Sequence, residues 1–111
     1  MTDALLKNLI NGNIDYLDFG CGNGGSMAYI NKSYPDVRGL GIDINNKKIS
    51  MALEVGHNAI VYDITKLPEQ KMVEFVMMSH FLEHLSCTSD AGVVIAKAIS
   101  IAKDFVFIRQ P

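Results

Sequence analysis

Leu17-Asp18-Phe19-Gly20-Cys21-Gly22-Asn23-Gly24-Gly25-Ser26 is the stretch on which the reading of this chain turns. The apolar run from Ile14 to Phe19 arrives in the manner of a buried parallel strand and breaks on Gly20, Gly22, Gly24 and Gly25. A helical pattern opens near Ser26, where Met27, Ile30 and Tyr34 fall at i, i+3 and i+7. Strand, glycine turn and helix in that order begin a nucleotide-binding βαβ unit. Glycine reaches positive φ without strain and, having no Cβ, lets a ligand lie against the backbone at the helix N-terminus.

Two glycine spacings overlap in this turn. Gly20, Gly22 and Gly25 satisfy G-x-G-x-x-G, the dinucleotide fingerprint. Gly20, Gly22 and Gly24 satisfy G-x-G-x-G, with Asp18 two residues before the first glycine. A carboxylate there suits the cationic end of a ligand, such as an α-ammonium group, and would repel a pyrophosphate. The larger pattern, Asp-x-Gly-x-Gly-x-Gly, resembles motif I of the class I S-adenosylmethionine (SAM)-dependent methyltransferases. That resemblance implies a Rossmann-like fold, SAM as cofactor, and Asp18, Phe19, Gly20, Gly22 and Gly24 around it, with Asp18 near its methionine part.

Later acidic residues fall where the same ligand would need them. Val37 to Asp43 reads as a second strand, and Asp43 lies about 18 residues past Gly25, near the ~20-residue offset at which an acidic side chain accepts from ribose hydroxyls. A helix cap is the alternative for Asp43. Ile44 would offer an apolar wall to the adenine. Asn58 to Tyr62 is a third strand closed by Asp63. The resemblance places Asp63 at the adenine amine and Ile64 against the ring; capping of the Thr65–Lys71 connection competes for Asp63.

Val73 to Met78 is a fourth strand, followed by Ser79-His80-Phe81-Leu82-Glu83-His84-Leu85. His80-x-x-Glu83-His84 spells the inverted H-x-x-E-H zinc signature. Such a site needs a further distant ligand, usually a glutamate, and none follows Glu83. No metal is expected. The segment also resembles the post-strand Leu-Glu-His of small-molecule-type methyltransferases, which implies that Ser79 and His80 line the methionine end of the cofactor and the acceptor pocket. His80 and His84 are the candidate general bases, needed only if the acceptor loses a proton as it attacks.

The flanking helices read from their apolar spacing. Asp3 to Ile10 presents Leu6, Leu9 and Ile10 and ends at Gly12; Asn45-Asn46 caps a helix with Ile49, Ala52 and Leu53 on its face, ended by Gly56. His57 reads as a solvated turn residue with no role. After a Thr88 or Ser89 cap and Asp90, the last helix presents Ile95, Ala98, Ile99 and Ala102, and Phe105 to Arg109 is a fifth strand.

Composition narrows the function class. The 111 residues suit one domain, residues 1–111, with 49% hydrophobic and 20% charged residues. A net charge of −2 and no basic run longer than Lys47-Lys48 give no attraction to nucleic acid. No apolar stretch nears the ~20 residues that span a bilayer, and no signal-peptide pattern opens the chain. Cys21 in the glycine turn and Cys87 do not form a disulfide scaffold, so a cytoplasmic location is expected.

The expected architecture is α/β, a doubly wound, mostly parallel sheet in the order 3-2-1-4-5, with the ligand at the switch between strands 1 and 4. The resembled methyltransferases continue with two further strands, so the chain is expected to be C-terminally truncated. Otherwise its apolar fifth-strand edge pairs with another copy as a homo-oligomer. The expected function is SAM-dependent methyl transfer to an oxygen, nitrogen or carbon nucleophile of a small molecule. The alternatives are a non-catalytic SAM-binding module, the cofactor half of a larger enzyme, and an NAD-binding oxidoreductase domain.

Overall fold

The structure is a computed structural model that describes residues 3–79 and 88–109. Their order is α1 (Asp3–Ile10), β1 (Tyr16–Phe19), α2 (Gly25–Ser33), β2 (Gly39–Asp43), α3 (Asn46–Glu54), β3 (Ala59–Val61), a 3-10 turn (Ile64–Lys66), β4 (Val73–Ser79), α4 (Thr88–Ile101) and β5 (Ala102–Arg109). The five strands form one parallel sheet in the order β3-β2-β1-β4-β5. This is the order expected when right-handed crossovers run first one way and then the other from β1.

Side chains alternate across the sheet because successive strand residues face opposite sides. Leu17 and Phe19 of β1, Leu40 and Ile42 of β2 and Val76 and Met78 of β4 join one core with Leu6 and Ile10 of α1 and Val94, Ala98 and Ile101 of α4. Tyr16 and Met77 enter a second core with Cys21, Met27 of α2 and Ile49 and Ala52 of α3. Each fully buried Leu, Ile, Phe or Met contributes roughly 1.5–3 kcal/mol. Both faces being covered explains why the strands read as nearly unbroken apolar runs.

Glycine in β2 lets the second core close. A Cβ on Gly41 would stand 2.5 Å from Cys21 Sγ and 2.9 Å from Met27 Sδ. A side chain there would therefore lift α2 and the glycine turn off the sheet.

Several helix faces differ from the apolar spacing. Leu9, Leu53 and Ile99 are exposed, while Leu6 and Ile10, Ile49 and Ala52, and Val94, Ala98 and Ile101 carry the contacts. Each helix meets the sheet along one line of its apolar stripe, and the residues at the margin of the stripe stay in solvent. Tyr34 is the exposed C-cap of α2 rather than part of its packing face. Ala102 opens β5 rather than closing α4, so the last strand starts three residues before Phe105. β5 is an edge strand with Phe105, Phe107 and Ile108 exposed. On one face Tyr16, Phe75 and Phe105 stack ring on ring, each pair 4.9 Å apart.

Candidate functional site

The glycine turn leaves β1 at the point where neighbouring crossovers diverge, between β2 on one side and β4 on the other. Its shape is set by β2: the N–H groups of Gly20 and Cys21 both donate to the Ile42 carbonyl, at 2.8 and 3.3 Å. Gly20, Gly22 and Gly24 adopt φ of 71°, 56° and 93°. Gly25 is the first residue of α2. The alternate spacing Gly20-x-Gly22-x-Gly24 is thus the one the backbone uses for its left-handed positions.

Asp43 closes the turn from the end of β2. Its Oδ2 accepts from Gly22 N–H at 2.9 Å, and its Oδ1 accepts from Asn45 N–H at 2.8 Å. Asn45 in turn caps α3 by accepting from Lys48 N–H at 3.0 Å. The bond from Gly22 to Asp43 joins residues 21 apart in the chain and follows from tertiary structure alone. Beside Asp43, Ile44 is 73% exposed, an apolar side chain facing solvent.

Asp18 lies mid-strand on the same side of the sheet as Tyr16 and is 1% exposed. Its Oδ2 has no hydrogen-bond partner among the described residues. Burial, and then the charge of Asp43, push its carboxyl up to about 8. Burial, and then the charges of Asp18 and Asp43, push the Cys21 thiol up to about 12. Cys21 is a free, buried thiol, and in this setting it is a packing residue rather than a nucleophile.

The remaining expected residues divide. Phe19 and Ile64 place their side chains in the first core. Asp63 is exposed and caps the 3-10 turn, its Oδ1 accepting from Thr65 N–H at 3.0 Å and Thr65 Oγ1 at 2.7 Å. Those two bonds, side chain first, hold its carboxyl below the ordinary range. Ser79 lines a cavity of about 290 Å³ with Ser26, Tyr29, Met77, Phe107 and Arg109, between α2 and the carboxyl ends of β4 and β5. His80 and His84 lie outside the described residues, as does the rest of the H-x-x-E-H stretch.

His57 corrects the reading of a solvated turn residue. It is half-buried, and its ring lies so close to the Gly24 α-carbon that a Cβ there would overlap His57 Cδ2 and stand 2.9 Å from Nε2. No periodicity or motif announces this contact, which joins the turn after α3 to the turn before α2.

A buried carboxyl oxygen with no partner among the described residues, three left-handed glycines and a carboxylate at the end of β2 thus meet at the switch point of a doubly wound sheet, where sheets of this kind take their ligands. The sequence model of a family described as "Methyltransferase domain" matches residues 17–103, and the chain belongs to that family. No curated protein matched the sequence. Among solved structures, a SAM-dependent methyltransferase from Archaeoglobus fulgidus is similar at 26% identity and TM-score 0.66, over 92% of this chain and 49% of that one. A SAM-dependent methyltransferase from Methanosarcina mazei is similar at 23% identity and TM-score 0.68, over 89% and 52%. Magnesium protoporphyrin IX methyltransferase from Synechocystis PCC 6803, solved with bound SAM, is similar at 22% identity and TM-score 0.68, over 89% and 49%. The chain spans about half the length of these solved relatives.

Proposed function

We propose that this site binds SAM and that the chain is the cofactor-binding domain of a SAM-dependent methyltransferase acting on a small molecule. The observation that carries this reading is the unpartnered oxygen of Asp18 behind the glycine turn. A buried acceptor without a donor costs ~1–3 kcal/mol, and an α-ammonium group would supply the donor and a counter-charge. The remaining lone pairs of the Asp43 carboxylate suit ribose hydroxyls, and exposed Ile44 suits the adenine face. Asp63 Oδ2 would serve the adenine amine, with Ile64 offering main chain rather than side chain.

SAM supplies a methyl group on a sulfonium, already a good leaving group. What the chain must contribute is alignment, which in well-oriented systems is worth ~7–11 kcal/mol. Ser79 and the cavity it lines, with Tyr29, Met77 and Phe107 as walls and Arg109 at the rim, suit a small, largely apolar acceptor. His80 and His84 are assigned proton removal from an acceptor that must lose one. Cys21 as a free, buried thiol supports a reducing, cytoplasmic setting. The open edge of β5 suits pairing with a second copy.

Thermal unfolding with added S-adenosylhomocysteine, SAM or NADH tests the reading. A ligand at 100 times its Kd adds ~2.7 kcal/mol to the folded state. Stabilisation by the adenosyl ligands but not NADH is expected, and the reverse pattern would identify a dinucleotide domain. A second reading, a SAM-binding portion of a larger enzyme that does not turn over alone, is favoured by the half-length coverage of the solved relatives. It predicts the same stabilisation without transfer of a labelled methyl group to any acceptor.

A further inference from the structure

The Asp18 oxygen raises a second question, that of where a proton goes when the site fills. The groups around it are Tyr16 on its own strand, Cys21 in the glycine turn and Asp43 at the end of β2. Its register neighbours, Gly41 on β2 and Met77 on β4, carry no charge, and Met27 fills the side toward α2. From α3, the stem of Lys48 comes to Gly22, and no ion pair joins its amine to Asp18 among the described residues. Asp18 therefore faces acids and apolar atoms, with no cation among the described residues.

An unpaired carboxylate in such surroundings takes up a proton rather than remain charged. The two carboxyls differ in their donors. Asp43 has an N–H donor on each oxygen, whereas Asp18 Oδ2 has none. An ammonium group entering the site reverses the balance, since it brings both the donor and the positive charge that the ionised form lacks.

We propose that an ammonium-bearing ligand expels one proton from Asp18 on binding. This rests on the SAM-site reading above. The carboxyl O–H bond breaks, its proton leaves to solvent, and the carboxylate pairs with the ammonium; no electrons are exchanged. The Asp18 carboxyl, pushed up to about 8 by burial and then by the charge of Asp43, agrees with that proton release. Affinity then rises about tenfold per pH unit up to roughly pH 8, above which Asp18 is already ionised before the ligand arrives.

The test is calorimetric titration of the full chain with S-adenosylhomocysteine at pH 6.5, in two buffers of unequal ionisation enthalpy, with Kd followed to pH 8. The same titration with 5′-methylthioadenosine, which lacks the amino-acid part, is the control. About one proton should leave with S-adenosylhomocysteine and none with 5′-methylthioadenosine, whose Kd should stay flat with pH. Asp18→Asn should abolish the release; if that variant does not fold, the comparison of the two ligands decides alone. Binding of S-adenosylhomocysteine without proton release, or equal release by both ligands, overturns the inference and leaves the SAM-site reading standing. Binding of neither ligand at any pH overturns both.

Discussion

Asp43 accepts from the Gly22 N–H, so its removal acts on the turn as well as on any ligand it holds. Asp43→Ala should weaken S-adenosylhomocysteine binding roughly 10- to 100-fold and lower stability by ~1–3 kcal/mol, since the Gly22 donor loses its acceptor. Calorimetry and urea unfolding measure the two effects, and unchanged affinity would remove the ribose role. Asp18 makes the ligand-free protein sensitive to pH. Its folded acidity, about 8, lies above the ~3.9 of an unfolded Asp. Between roughly pH 4 and 8 the native state keeps a proton that the unfolded chain has released. Stability should thus fall as pH rises through that window, by at most ~1.4 kcal/mol per unit, and level off above it. Urea midpoints at pH 5, 6.5 and 8 check the slope, which Asp18→Asn should remove. Gly24→Ala meets both a φ of 93° and the His57 ring; it should cost about 2–5 kcal/mol. Adding His57→Ala should return the steric share and leave the ~1–2 kcal/mol of backbone strain. Asp18 and the alternate glycines were legible because their meaning lies within seven consecutive positions. His57 was not, because its contact depends on how α3 and the glycine turn come together.

Among the elements, strands were easier to read than the buried faces of helices. Apolar runs closed by Asp43 and Asp63 marked β2 and β3, since a carboxylate at a strand end has no core to enter. Periodicity in α4 proposed Ile95, Ala98, Ile99 and Ala102, and the chain turns directly into β5 after Ile101. A 3.6-residue pattern cannot register that junction, because alanine fits either side of it. The same helix buries a cation that hydrophobic patterning treats as a surface residue. Lys97 is 9% exposed, its Nζ donates to the Leu67 carbonyl at 2.6 Å, and Glu69 Oε1 lies 3.7 Å away. The amine thus ties α4 to the connection before β4, while its stem lies among apolar neighbours. Lys97→Met keeps the stem and strands the carbonyl, so it should destabilise the fold by ~1–3 kcal/mol, read from urea unfolding.

For the molecule as a whole, strand order was legible in the sequence, because chirality and short connections leave few ways to wind five alternating units. The site followed from that order, as divergence of the crossovers on either side of β1 opens a gap above the carboxyl ends of the strands. The β5 edge also followed, and it carries a consequence for behaviour in solution. Phe105 and Phe107, 54% and 51% exposed, lie on this strand, which is an edge among the described residues. Self-association that grows with concentration is expected in sedimentation velocity, and Phe107→Lys should reduce it.

The hold that Ile42 and Asp43 keep on Gly20, Cys21 and Gly22 bears on kinetics. A receptacle moulded during folding need not be reshaped by its guest, and the disorder it would otherwise lose at encounter is already gone. Capture should accordingly be limited by diffusion and orientation rather than by rearrangement of the turn, with differences among adenosyl ligands appearing mainly in how long each one stays.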